Sequence, residues 1–166
     1  MRNVLWIPAL YGLAACGQAA PERNDSGTVA TSGKSDVPLG EVPPAVLAAA
    51  AAAQPGFVPA EAEAETRDGR HYFDIGGKLA DGSEVEFDIM AEGGSWRVVE
   101  TQRDIRLAAA PEPVRNAAGT FAAERVIESR QADGLVIYEL YDSRQRKLEI
   151  KWDGKGAEVL TGEWAH

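Results

Sequence analysis

From Glu41 onward, apolar and polar positions fall into a series of short periods that runs through the chain twice. Pro43-Pro44-Ala45-Val46-Leu47 opens an Ala-rich run that stops at Gln54-Pro55-Gly56. Proline in the first turn and Pro-Gly past the last predict a short helix, with Val46, Leu47, Ala50 and Ala53 facing inward. Pro111-Glu112-Pro113-Val114 opens the second copy, with Val114, Ala117, Ala118 and Phe121 at helical spacing and Gly119 weakening the helix. Ala60-Glu61-Ala62-Glu63-Ala64-Glu65-Thr66-Arg67 is ambiguous alone, since its composition favours helix and its alternation favours strand. Its counterpart 63 residues on, Ala123-Glu124-Arg125-Val126-Ile127-Glu128-Ser129-Arg130, repeats Glu-Thr-Arg as Glu-Ser-Arg and adds a β-branched pair. Both are therefore read as strands.

The remaining elements follow the same double course. Asp68-Gly69 and Asp133-Gly134 are hairpin turns, leading into the aromatic and β-branched runs 70–75 and 135–141. Glu84-Val85-Glu86-Phe87-Asp88-Ile89 and Lys147-Leu148-Glu149-Ile150-Lys151-Trp152 alternate cleanly, apolar residues to one face and charges to the other. Each copy turns through glycine into a last strand, Trp96–Glu100 and Ala157–Leu160. The expectation is an α+β fold of two tandem repeats, 41–108 and 109–166, each a short helix packed on its own four-stranded antiparallel sheet.

The chain ahead of Glu41 has a different character. Arg2, a short apolar run over 4–10 and Leu13-Ala14-Ala15-Cys16 have the layout of an export signal with small residues before the cut. The run is too short for a spanning helix, which needs about 20 apolar residues. Leu13-Ala14-Ala15-Cys16 resembles the lipobox of bacterial lipoproteins and places the chain's one cysteine where that motif needs it. The resemblance implies removal of residues 1–15 and acylation of Cys16, anchoring the protein in a membrane of the bacterial envelope. Gly17 in place of aspartate leans the expected address toward the outer membrane, facing the periplasm. Residues 16–40 carry scattered small and polar residues without apolar period, and are read as the lipidated cysteine and a flexible tether.

Val42-Pro43-Pro44-Ala45-Val46 with its helix, Asp68-Gly69-Arg70-His71-Tyr72-Phe73-Asp74-Ile75 and Asp81-Gly82-Ser83-Glu84-Val85-Glu86-Phe87-Asp88 together resemble the PepSY-like and β-lactamase-inhibitor-protein-like modules. These are bacterial envelope domains that often occur in tandem. The resemblance covers 42–105 best and 111–164 through the internal repeat. It implies a protein-binding module, with inhibition or regulation of an envelope peptidase as the role some relatives play.

Composition narrows the chemistry. The 166 residues include 17 basic and 26 acidic ones, a net charge of −9 that becomes −10 once Arg2 leaves with the signal. An acidic chain whose densest basic run is Arg144-Gln145-Arg146-Lys147 is unsuited to nucleic acid, which needs many clustered cations. One cysteine with His71 and His166 can form neither an internal disulfide nor a Cys/His metal cage. No nucleophile elbow, phosphate loop or zinc-helix spacing occurs, so neither an enzyme nor a cofactor is expected.

Asp74, Glu84, Glu86 and Asp88 could collect a hard cation, although acids alternating along an open sheet face are usually just solvated. Trp96 and Trp152 sit on the apolar phase and are read as core. A partner surface is expected on the opposite phase, at Tyr72, Arg97, Glu149 and Lys151. The expected function is thus a lipid-anchored periplasmic protein-binding module, with an outer-membrane assembly accessory or a cation or small-ligand binder as alternatives.

Overall fold

The computed structural model describes residues 32–162 and residue 164; the export signal, Cys16 and His166 lie outside the described residues. Nine strands follow one another in chain order, each antiparallel to the next, in one continuous sheet. They are β1 (Ser35–Asp36), β2 (Val58–Arg67), β3 (Arg70–Lys78), β4 (Glu84–Glu92), β5 (Ser95–Ile105), β6 (Arg125–Gln131), β7 (Val136–Tyr141), β8 (Lys147–Trp152) and β9 (Ala157–Val159). Among the described residues, two short α-helices, α1 (Pro44–Ala53) and α2 (Glu112–Ala118), and a 3-10 turn ahead of each complete the architecture.

This corrects the expected fold class: the chain forms one sheet, not two helix-plus-four-strand repeats. The decisive element is β5. The alternation in Trp96–Glu100 marks only its first half, whereas the strand runs eleven residues to Ile105. Its first part pairs with β4 and its second, Glu100–Ile105, pairs with β6 over Val126–Gln131. Thr101-Gln102-Arg103-Asp104 has no apolar alternation to reveal it. A bulge in the β4–β5 ladder between Asp88 and Ile89 restores the facing of side chains across the long strand.

Both helices lie on the same face of the sheet. Pro43 caps α1 and Pro44 sits in its first turn, while Gln54 leaves helical geometry ahead of Pro55. Val46 and Ala50 of α1 pack with Ala62, Ile75, Phe87 and Ile89. Val114 and Ala118 of α2 pack with Val126, Tyr138, Leu140 and Ile150 in a second cluster. Ala53, expected inward, is exposed, and Phe121 lies beyond the end of α2 while still packing against the second cluster. Trp96 and Trp152 join the first and second clusters respectively, as the apolar phase implied.

Two glycines in the middle of β3 set the shape of this end of the sheet. A Cβ on Gly77 would come within 2.7 Å of the Phe57 ring, so the aromatic fills the space a side chain would occupy. On the opposite face a Cβ on Gly76 would lie 2.8 Å from Glu61 Cγ, so the Glu61 side chain crosses the strand there. The last residues of the stretch read as tether are laid along the sheet edge. Ser35 and Asp36 pair with Ala64 and Glu63, and Ser32 exchanges two hydrogen bonds with Thr66 at 2.9 Å each.

Candidate functional site

The helix-free face carries the unusual chemistry. Strand register places Asp36, Glu63, Asp74, Asp88 and Glu100 directly opposite one another across β1 to β5. Like charges directly opposed destabilise a sheet, so this row needs compensation. Arg67 and Lys34 supply it. Arg67 Nη2 donates to Asp88 at 2.6 Å and to Asp74 at 3.5 Å, and its Nε lies 2.5 Å from Glu65. The guanidinium is stacked 4.1 Å above the Tyr72 ring, which fixes its plane. Lys34 reaches in from just ahead of β1, with its ammonium 2.6 Å from Asp74, 3.5 Å from Glu63 and 3.9 Å from Glu86.

Asp74 and Asp88 are 3% and 2% exposed. Burial therefore acts on charges that the sequence pattern placed in water. Desolvation pushes the Asp74 carboxyl up to about 7, reinforced by Asp88 and opposed by Lys34. Desolvation also raises Asp88, with Glu100 adding to it and Arg67 opposing. Burial works against the Lys34 charge too, but the hydrogen bond to Asp74 and its charge prevail and raise the lysine. Glu86 is raised by desolvation, with Lys34 opposing.

The second half of the same face is more fully paired. Glu100 accepts a hydrogen bond from Ser129 at 2.5 Å and one from Gln102 at 2.8 Å. Glu139 opposes Glu149 across β7 and β8, with Tyr141 donating to Glu139 at 2.5 Å and Lys147 held 2.8 Å from Glu149. Burial and that hydrogen bond push Tyr141 up to about 12.

Two hollows open on the acid-lined side. A groove of about 280 Å³ at the end where β2 begins and β3 finishes is lined by the acids Glu61, Glu84, Glu86 and Asp104 and the bases Lys78, Arg103 and Arg125, with Gly76 and others between them. A cavity of about 150 Å³ adjoins it between Asp36, Glu61, Glu63, Asp74, Gly76 and Glu86. Glu61, Gly76 and Glu86 border both. Gly76 lets the Glu61 side chain lie across the strand between them, since a Cβ there would come within 2.8 Å of it.

No family model matches the chain, and neither does any curated protein or solved structure. The likeness to PepSY-like modules is thus carried by the quoted residues alone.

Of the four partner-surface residues read from the sequence, Tyr72 and Arg97 share one row across β3, β4 and β5 through Met90. Tyr72 lies half-buried beneath Arg67, and Arg97 is exposed and bonded to Glu92 at 2.8 Å. Glu149 and Lys151 form a separate pair on β8. Glu149 is buried and accepts the Trp164 backbone N–H at 2.7 Å, while Lys151 lies 5.9 Å from the Trp164 ring. The structure does not bring the two pairs into one patch. His71 sits on the exposed β2–β3 hairpin, 3.2 Å from the Thr66 hydroxyl. Sequence reasoning passed over Lys34, Arg67, Gly76 and Glu100. The signal for Arg67 was its place two residues past Glu65 on the charged phase of β2; Lys34 had none, because the stretch around it reads as tether.

Proposed function

We propose that this chain is a lipid-anchored, non-catalytic module of the bacterial envelope that binds a basic segment of a partner protein on its helix-free face. The observation that carries the reading is the lining of the smaller hollow by five carboxylates, Asp36, Glu61, Glu63, Asp74 and Glu86, where it adjoins the groove. Concave sites with a few placed charges are the usual ligand-binding geometry, and a field of one sign steers and selects an oppositely charged partner. The helix-bearing face is occupied by the two core clusters, leaving the opposite face for recognition. Its buried carboxyls are engaged in ion pairs with Arg67 and Lys34, an arrangement suited to holding a rigid charged surface.

Anchorage rests on the Leu13-Ala14-Ala15-Cys16 motif. Fifteen residues, 17–31, separate Cys16 from Ser32, the first described residue. Such a length spans at most about 50 Å when fully extended, enough to present the sheet to a protein beyond the headgroups. The PepSY-like resemblance supports protein binding, with an envelope peptidase as one class of partner.

Capture from solubilised envelope tests the reading. A partner held by the wild type at low salt, released at high salt, and lost from a Glu61→Lys/Glu84→Lys variant supports it. A partner retained equally by that variant overturns it.

A further inference from the structure

We propose, resting on the reading above, that the partner's basic segment binds as an extended strand in the place of β1, and that residues 32–36 are a built-in competitor for that place. The outer edge of β2 carries the argument. β2 is ten residues long, yet β1 pairs with only two of them, Glu63 and Ala64. Three hydrogen bonds extend the contact: Val37 N–H to the Ala62 carbonyl at 2.8 Å, Ser32 N–H to the Thr66 carbonyl at 2.9 Å, and Thr66 N–H to the Ser32 hydroxyl at 2.9 Å. A strand edge so briefly covered is a template for an added strand. Ahead of Ala62 the ladder of β2 is broken by the irregularity between Pro59 and Glu61, so an incoming strand takes the register that β1 now holds.

The arm holds that place loosely. Ser32 to Asp36 are all exposed, and apolar attachment begins only at Val37 and Leu39, which pack against the first core cluster. Residues 32–36 can therefore swing out about Val37 and leave the core as it is.

The arm also shows which charges suit the edge. Lys34 carries its ammonium across β2 to 3.5 Å from Glu63 and 2.6 Å from Asp74. Two residues on, in the same phase of β1, Asp36 lies directly opposite Glu63 and borders the smaller hollow with Glu61 and Glu86. Like charges directly opposed destabilise a ladder, so β1 carries the wrong sign at this position. A segment with Lys or Arg at both positions, and an apolar residue where Val37 packs, fits the edge better than the chain's own arm. The occupant is thus a (Lys/Arg)-x-(Lys/Arg)-apolar strand of a partner protein, held by backbone bonds to β2 and selected by the opposed carboxylates. Only the fraction of chains with the arm released can bind it, so the arm sets the apparent affinity.

A fluorescein-labelled peptide of residues 30–39 carrying Asp36→Lys, titrated by anisotropy into the purified chain, tests the exchange. Ser35→Pro removes an N–H that the register aims at β2, and Lys34→Glu removes the arm's ammonium; both should bind the peptide at least about tenfold more tightly than the wild type. Asp36→Lys in the chain itself gives the arm its missing cation and should weaken peptide binding at least about tenfold. In the wild type, saturating peptide should open the Ser35 amide to hydrogen exchange while the Ala64 amide stays protected. Equal affinity in the wild type, Ser35→Pro and Asp36→Lys, or peptide binding with the Ser35 amide still protected, overturns the exchange and leaves the acid-lined surface standing. Binding by none of the variants overturns both readings. A wild-type dimer in sedimentation that Ser35→Pro abolishes gives the edge to a second copy's arm and overturns the partner strand.

Discussion

Replacing Asp74 by asparagine isolates the electrostatic cost built into the helix-free face. The amide keeps the size of the carboxyl and an oxygen for Lys34 to contact, but carries no charge. In the folded chain the Asp74 carboxyl titrates near 7 against an ordinary 3.8, because burial and Asp88 disfavour its ionised form. A raised carboxyl pKa means that the folded state binds the proton more tightly than the unfolded chain does. Its stabilising influence is fully present below 3.8 and is lost as pH rises through 7. Each tenfold difference in proton affinity is worth about 1.4 kcal/mol, so full ionisation costs about 4 kcal/mol. Asparagine escapes that cost. Urea unfolding of both proteins from pH 4 to pH 8 should give a stability difference that moves in favour of Asp74→Asn by about 4 kcal/mol over the interval, then levels off. A difference that stays flat between pH 4 and pH 8 would show that Asp74 ionises as an exposed carboxyl does, and the buried acid row would have to be abandoned.

Other substitutions probe other parts of the account. Gly77→Ala drives a methyl into Phe57 and the Val58 carbonyl, and should lower stability by about 2–3 kcal/mol in thermal melts, whereas Gly76→Ala meets the movable Glu61 side chain and should cost less. Glu128 gathers Arg103, Arg130 and the buried Tyr138 hydroxyl at 2.8–3.0 Å; Glu128→Ala leaves that hydroxyl without its acceptor and should cost about 2–3 kcal/mol by denaturant titration. Those same partners hold Glu128 below the usual carboxylate range against the opposing effect of burial, so its contribution should fade as pH drops through that range, the reverse of Asp74. Mass spectrometry of the envelope-extracted protein should find an acylated N-terminus at Cys16 and none in Cys16→Ser; an unacylated mature wild type would refute the anchor.

Local order was legible where side chains alternate. Val85, Phe87 and Ile89, or Leu148, Ile150 and Trp152, declare their strands because one face is apolar and the other wet. The join was not legible. Residues 101–104 of β5 are polar on both faces, so nothing in their pattern shows that Gln102 pairs with Ser129 and Asp104 with Ile127, the contacts that fuse the halves into one sheet. The acidic phase of β3 and β4 was visible, but its burial was not. Asp74 and Asp88 leave solvent only because Arg67, from a neighbouring strand, and Lys34, from an arm more than twenty residues before β2, come to lie over them. Charge compensation between segments so far apart has no local signature.

The most direct test of the binding face is in-cell photo-crosslinking from its two sides. A photoreactive residue replacing Gln102 in the groove should give a discrete protein adduct, and one replacing exposed Ala51 on α1 should give none. Adding Glu61→Lys should remove the groove adduct while leaving protein levels unchanged. A reproducible adduct from Ala51 with none from Gln102 would place recognition on the helix side and contradict the acid-lined face as the binding surface.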